Sequence, residues 1–288
     1  MTMKALYDIQ APAKLNTFLH VVGRRSDGYH LLQSVFMLID WCDTLHLERR
    51  SDGQISRSDE AGGLDLPADD LCVRAARALQ AATGTALGAH IHLHKRIPAQ
   101  AGMGGGSSDA AACLLALMRL WGTSLPRERL MQLALELGAD VPFFLLGRHA
   151  WVEGIGQSLQ PIELPSARFV VLKPPSGLST PEIFGSPALK RDSEAATILG
   201  FAALGPEQIF KFGRNDLQPV AQALCPDIGL GLQWLSERGL QGRMTGSGSA
   251  VFALWPSNGP ADTGLSKPAD GWTVRVCSTL EVHPLADW

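Results

Sequence analysis

The sequence predicts an α+β protein of two domains, residues 1–160 and 161–288. Its 288 residues suit one large domain or two ordinary ones. Two observations favour two. Glycine-rich turns occur at 102–106 and again within 242–254, and turns so far apart suit a ligand held between two α+β halves. The chain also changes character at about Pro161, after which a clean apolar strand opens a new series of strands and helices.

The stretch around which the rest is organised is 98–108, reading Pro98-Ala99-Gln100-Ala101-Gly102-Met103-Gly104-Gly105-Gly106-Ser107-Ser108. It lies between a strand-like segment, 90–97, and a helix-like segment, 109–121. Gly102, Gly104, Gly105 and Gly106 carry no Cβ, so the backbone can take left-handed angles and approach a ligand closely. Ser107, Ser108 and Asp109 are N-cap candidates for the Ala/Leu-rich run 110–117. A strand, a glycine turn and a helix N-terminus together present unpaired N–H groups and a positive dipole end, which is how proteins hold phosphate. No Gly-Lys-Ser/Thr closes the loop, so it is not a Walker A motif. No acidic residue ends a second strand about twenty residues later, as a dinucleotide site would require. The alternative is a plain strand-to-helix turn. Four glycines in five positions, then two serines, favour phosphate.

Before that stretch, residues 7–22 read as two short strands broken by Ala11-Pro12-Ala13. Lys14 and Asn16 alternate just after the proline and would share a strand face; by themselves they read as a solvated lysine and a turn asparagine. Ser26-Asp27-Gly28 marks a turn before a buried strand. Tyr29 and His30 sit at that seam, suited either to edge packing or to offering a flat face and a hydrogen-bonding ring to a base. Residues 48–70 mix charge, Gly and Pro and read as a poorly ordered hairpin or loop. Residues 71–82 read as a helix that buries Val73, Ala76 and Leu79. His90, His92 and His94 share one face of the next strand. Imidazoles are zinc ligands in kind, yet no acidic or thiol residue accompanies them and half-exposed strands alternate in this way. No metal ligand set is predicted.

After the glycine stretch, Pro126 starts a helix over 127–137, with Gly138 as its C-cap. Asp140 is the only charge in the apolar stretch 137–147. It either caps a short helix that holds Pro142 in its first turn, or is a carboxylate placed for acid–base chemistry. In the second half, Phe169-Val170-Val171-Leu172 is a buried strand, and Thr180-Pro181-Glu182-Ile183-Phe184 opens a helix. Further helices read over 217–224 and 228–238, and 272–276 is a last strand. The serines of the second glycine turn do not match G-x-S-x-G.

Hydrophobic residues make up 45% and charged residues 18%, as in globular proteins with an ample core. A net charge of −3 gives no general attraction to nucleic acid. No apolar run is long enough to span a bilayer, and the N-terminal residues lack the apolar core of a signal peptide. Five cysteines, at 42, 72, 113, 225 and 277, form no close pair, which suits reduced thiols. The expected setting is cytoplasmic, with neither nucleic acid nor membrane as partner.

These motifs together carry a resemblance. P-A-Q-A-G-M-G-G-G-S-S-D-A-A resembles the central motif of the galactokinase–homoserine kinase–mevalonate kinase superfamily. A-P-A-K-L-N, at 11–16, resembles its first motif, and G-R-M-T-G-S-G-S-A-V-F-A-L, at 242–254, its third. Within it, G-R-R-x-D-G-Y-H-x-L-x-S and L-G-A-D-V-P-F-F resemble the branch whose substrate is a cytidine-diphosphate-linked methylerythritol of the non-mevalonate isoprenoid route. The likeness spans nearly the whole chain. A homoserine kinase, a mevalonate kinase or a decarboxylase of the superfamily gives no reason for Gly28-Tyr29-His30 together with Phe184.

The resemblance implies ATP- and Mg²⁺-dependent phosphoryl transfer to the 2-hydroxyl of that substrate. It implies a ribosomal-protein-S5-like N-terminal domain and a ferredoxin-like C-terminal domain, with the site in the cleft between them. By position it makes Lys14 and Asp140 the catalytic pair and wraps Pro98 to Ser108 around the triphosphate, with Ser107 or Ser108 toward the metal. Tyr29 and Phe184 would sandwich the cytosine, His30 would bond its edge, and Asn16 would lie near the polyol. The chain departs from the pattern at Asp70 (usually Asn), Met103 (usually Leu) and Gln157 (more often Glu).

Overall fold

In a computed structural model describing residues 3–59, 67–257, 259 and 265–288, the chain opens as one long strand, β1 (Ala5–Arg24), antiparallel to β2 (His30–Arg50). Two short strands split at Pro12 were expected. Proline removes a donor from the ladder, but the pair absorbs it in a register shift between Pro12 and Ala13. Proline inside a sheet is confined to such irregularities or to edges.

The stretch 48–70 is more regular than the expected poorly ordered hairpin or loop. It completes β2 and contains β3 (Ile55–Asp59), while residues 60–66 lie outside the described residues. Helix α1 (Leu71–Thr83) follows, its first turn capped by the Asp70 carboxylate, which accepts the Val73 N–H at 3.0 Å. Next come β4 (Gly88–His94), α2 (Gly105–Trp121), α3 (Arg127–Leu137), α4 (Val141–Leu146), β5 (Ala150–Gly154) and β6 (Ser158–Pro161). Among the described residues these strands form one sheet in the order β3-β4-β2-β5-β6, with β1 along β2. Only the β3–β4 pair is parallel.

A second sheet, β10-β7-β9-β8, takes the rest of the chain. It consists of β7 (Arg168–Lys173), β8 (Arg243–Met244), β9 (Val251–Trp255) and β10 (Thr273–Ser278). Between β7 and β8 lie α5 (Thr180–Gly185), α6 (Ile198–Ala202), α7 (Pro206–Ile209), α8 (Gln218–Leu224) and α9 (Pro226–Ser236).

Strand β2 shows how the two halves join. Side chains alternate across a strand, so Phe36 and Leu38 pack with Leu79, Leu114 and Phe143 of the helices. Val35, Met37 and Ile39 point the other way and pack with Phe169, Phe201 and Phe252 of the second half. Being buried on both faces, this part of β2 is continuously apolar rather than alternating. No helix among the described residues is long and apolar enough to cross a membrane, and all five cysteines are free.

Candidate active site

The glycine stretch starts its helix sooner than expected. Helix α2 begins at Gly105, with Gly104 (φ 71°) as an N-cap that makes no side-chain bond. The expected caps are engaged elsewhere. Ser108 lies inside the first turn, its N–H donating to the Gly104 carbonyl at 2.9 Å, and Asp109 turns away to meet Lys95 at 2.7 Å. Glycine suits position 105 because a Cβ there would come 3.0 Å from the Ile97 side chain. Without a side-chain cap, the first-turn amides are left for a ligand. Gly104, Gly105, Gly106 and Ser107 border a cavity of about 460 Å³ that also contains Lys14, Asn16 and Asp140.

The loop before the helix is shaped by the second half of the chain. Gly102 takes φ 71°, and a Cβ on it would fall 2.2 Å from the Thr245 carbonyl oxygen. The Ser249 N–H donates to the Gln100 carbonyl at 3.0 Å, the Ala250 N–H to that of Ala101 at 3.3 Å, and the Lys14 N–H to that of Met103 at 3.0 Å. Asn215 Nδ2 in turn holds the Met244 and Gly246 carbonyls, each at 2.8 Å. Of the stretch, Gln100, Gly102, Gly104, Gly105, Gly106 and Ser107 line the cavity, and Pro98, Ala99, Ala101, Met103 and Ser108 do not. Ala101 and Met103 fill the core between the halves, and Ser108 is fully buried.

Lys14 and Asn16 are neither a solvated lysine nor a turn asparagine. Both are buried on β1. Lys14 Nζ donates to Asn16 Oδ1 at 2.5 Å and stands 3.5 Å from Asp140 Oδ2. Burial pulls the ammonium below the ordinary lysine range, and Asp140 opposes that pull. Asn16 Nδ2 donates to Ser34 Oγ at 2.8 Å, and its backbone N–H to Thr245 Oγ1 at 2.9 Å. Asp140 occupies the N-cap position of α4 yet makes no capping bond. Its side chain, 29% exposed, faces Lys14 instead. Ser34 and Thr245 were assigned no role from the sequence, although Ser34 closes the G-R-R-x-D-G-Y-H-x-L-x-S motif and Thr245 lies within the second glycine turn.

Beneath the loop, Lys95 is buried between Asp43 and Asp109. Burial acts to lower its pKa, but the two carboxylates outweigh that and hold the ammonium above the ordinary lysine range. Asp43 Oδ1 also accepts the Arg96 and Ile97 N–H groups, at 2.5 and 2.8 Å. The connection from β4 into the glycine stretch is thereby fixed.

A second cavity, of about 580 Å³, is lined by Tyr29, His30 and Phe184. It shares Leu32, Ala139, Ile155, Thr180 and Phe184 with the first. Tyr29 is 61% exposed, and the His30 and Phe184 rings lie 5.1 Å apart at 31°. Arg191, which no motif singled out, donates from Nε to His30 Nε2 at 2.9 Å. The strand histidines face serines: His90 meets Ser56 and Ser58, and His92 meets Ser58, at 2.7–3.1 Å. Among the described residues no group of three metal-ligating side chains occurs.

Family profiles for the GHMP kinases N terminal domain and the GHMP kinases C terminal match residues 70–148 and 198–270. The chain is 67% identical to the 4-diphosphocytidyl-2-C-methyl-D-erythritol kinase of Polaromonas sp. strain JS666, over 99% of this chain and 95% of that one. It is 61% identical to the Variovorax paradoxus enzyme of the same name, over 99% of both. The chain belongs to the 4-diphosphocytidyl-2-C-methyl-D-erythritol kinase family. It is thus a small-molecule kinase of the GHMP type, with that superfamily's N- and C-terminal domains in a mixed α+β fold. A crystal structure of a 4-(cytidine 5'-diphospho)-2C-methyl-D-erythritol kinase superposes with a TM-score of 0.74 at 34% identity, over 93% of this chain and 98% of that one. Homoserine kinase from Cytophaga hutchinsonii also reaches a TM-score of 0.74, over 98% of this chain and 96% of that one. Its 16% identity speaks to the fold alone.

Proposed function

We propose that this kinase transfers the γ-phosphoryl group of ATP to the 2-hydroxyl of 4-diphosphocytidyl-2-C-methyl-D-erythritol. The observation that carries this reading is the position of Lys14 and Asp140. They face each other at 3.5 Å in a cavity whose one side is the bare start of α2 and whose other side runs into the Tyr29–His30–Phe184 cavity. A triphosphate suits the first and a pyrimidine the second, so the groups to be joined would meet at the pair.

Phosphoryl transfer asks a protein mainly to position groups and stabilise charge. Asp140, free of any capping bond, orients the hydroxyl and accepts its proton. Lys14 favours the oxygen as its charge develops. Asn16, held by Ser34 and Thr245, fixes the direction of the lysine and borders the polyol. The amides of Gly104, Gly105, Gly106 and Ser107 receive the phosphates. Tyr29 and Phe184 flank the cytosine and His30 reads its edge.

Hard oxygens line the site, among them the Asp140 carboxylate and the hydroxyls of Ser107, Thr180 and Ser247. That set fits Mg²⁺, which keeps several waters and takes its remaining ligands from substrate phosphates. Ser107 lines the cavity and Ser108 is buried, so Ser107 is the serine that would hold it. When bound, the ion neutralises charge on the transferring group.

The domain division at about residue 160 is supported by the gap between the two sheets, β6 ending at Pro161 and β7 starting at Arg168. The S5-like and ferredoxin-like assignments of the two domains, with the site in their cleft, accord with that division. Free cysteines accord with a cytoplasmic setting. The test is ATP consumption with the cytidine-diphosphate substrate against mevalonate, homoserine and galactose. Turnover confined to the cytidine substrate is expected, and turnover with any of the other three in its place would overturn the assignment.

A further inference from the structure

Arg191 lies in the irregular segment between α5 and α6 and belongs to none of the motifs. Its guanidinium nevertheless makes four bonds. Nε donates to His30 Nε2 at 2.9 Å, Nη1 to the Leu189 carbonyl at 2.9 Å, and Nη2 to the Phe184 and Ser186 carbonyls at 3.1 and 2.7 Å. It thus fastens the end of α5, which carries Phe184, to the first residue of β2. The segment holding it is anchored two residues on. The Ser193 N–H donates to the Val21 carbonyl at 3.0 Å and Ser193 Oγ to Asp216 Oδ2 at 2.5 Å. Asp216 Oδ2 also accepts the Val21 N–H, and Asp216 Oδ1 accepts Arg214 Nε, at 2.8 and 2.7 Å.

The bond to His30 has a chemical consequence. A guanidinium has only donors and stays charged, so His30 Nε2 must accept, and a neutral imidazole that accepts at Nε2 carries its proton at Nδ1. A proton at Nε2 would face the guanidinium head-on. Burial and the Arg191 charge lower the imidazole's pKa, which keeps the ring neutral. Nδ1 has no hydrogen-bond partner among the described residues, and His30 lines the aromatic cavity. The group left for a ligand is therefore an N–H donor. Where that donor meets ring position 3 of a pyrimidine, cytosine and uracil differ: cytosine N3 is an acceptor, whereas uracil N3 carries a hydrogen. A site that fixes a donor accepts the first and opposes the second with an unpaired, facing hydrogen.

We propose that Arg191 is a specificity-positioning residue: it locks His30 in the Nδ1–H tautomer and so makes the base cavity select cytosine over uracil. This rests on the base-binding reading of Tyr29, His30 and Phe184 given above. The residue acts through His30 and through the placement of Phe184, and touches no reacting atom.

Two measurements test it. Long-range ¹H–¹⁵N correlation on ¹⁵N-histidine-labelled enzyme, without substrate and at mildly alkaline pH, reads the tautomer of His30 directly. The Nδ1–H form is expected in the wild type and in Arg191→Lys, which keeps a donor, and is expected to be lost in Arg191→Met. An Nε2–H signal in the wild type, or an unchanged tautomer in Arg191→Met, overturns the proposal without touching the base-site reading. The second measurement is kcat/KM for the cytidine substrate and its uridine analogue. Arg191→Met is expected to lower the cytidine-to-uridine ratio by ~10-fold, through the KM for the cytidine substrate with that for ATP held, and Arg191→Lys to recover part of it. A ratio that does not move in Arg191→Met overturns the proposal even if the tautomer is as stated. Should Tyr29→Ala and His30→Ala both leave the cytidine KM unmoved, the base-site reading fails and takes the specificity role with it, while the tautomer result still reports on the Arg191 bond.

Discussion

Lys14 on β1 and Asp140 at the head of α4 meet at 3.5 Å, and the same carboxylate makes no bond to the helix it precedes. A capping aspartate accepts an N–H of the first turn. Asp140 gives up that bond and spends its charge on a buried lysine.

Replacing Asp140 with Asn should therefore cost the helix little and the reaction much. Turnover is expected to fall by ~10²–10⁴, the usual range for a positioned acid–base group, with nucleotide affinity nearly intact. Single-turnover kinetics and ATP binding measured on one preparation check this. Near-wild-type turnover would return Asp140 to a structural role.

The buried Lys14 gives a pH dependence of definite sign. Its pKa is lowered by burial, against the pull of Asp140. Activity that needs the ammonium should thus be lost on the alkaline side at a pH below the ordinary lysine range. Stability runs the other way. Between the folded pKa and the ordinary range the unfolded chain still holds the proton the native state has released, so stability rises with pH across that window. Asp140→Asn removes the upward pull and should move the alkaline limit of Lys14 titration lower still. A kcat/KM profile flat through the ordinary lysine range would contradict the assignment.

Gly104 tests the phosphate loop. At φ 71°, a Cβ would lie 3.0 Å from the Phe144 ring and 3.3 Å from Lys14 Cγ. Gly104→Val adds a β-branched side chain where the backbone is left-handed, so it should weaken ATP binding and disturb the lysine together. Calorimetric titration with ATP checks it, and unchanged affinity in a folded variant would mean that the loop is a plain turn.

Tyr29→Ala should raise the KM for the cytidine substrate by ~5–150-fold and leave that for ATP nearly unmoved, since stacking on an aromatic is worth roughly 1–3 kcal/mol per base. The opposite pattern would assign the aromatic cavity to adenine.

Lys95→Met leaves Asp43 and Asp109 buried without their cation. Removing one partner of a buried ion pair costs about 3–5 kcal/mol, so a large fall in the denaturation midpoint is expected. A loss near zero would show that the buried lysine adds nothing net to stability.

What the sequence made legible was local. The glycine stretch announced itself by composition, whereas the alternation of Lys14 and Asn16 beside Pro12 showed only a shared strand face, and their place in the site came from the motif resemblance. The start of α2 was misplaced because the apparent cap Asp109 is claimed by Lys95, and the pull of a distant ion pair leaves no mark on local propensity. Asp140 stayed ambiguous for the same reason, since the residue that decides between cap and acid–base group lies on the first strand. Pro12 was read as a break because a register shift belongs to the pair of strands rather than to either alone. Arg191 was invisible: it is one basic residue in an irregular segment, and only the fold brings His30 and the end of α5 around it.

The grip of the second half on the glycine loop has an evolutionary consequence. Gly102 is bare because the Thr245 carbonyl occupies the space a side chain would need, and Gln100 and Ala101 are shaped by the amides of Ser249 and Ala250. Neither motif is a portable cassette. A chimaera joining the first 161 residues of this kinase to the second half of a distant relative would inherit the glycine loop's letters without its mould, and the two must be passed on together or not at all.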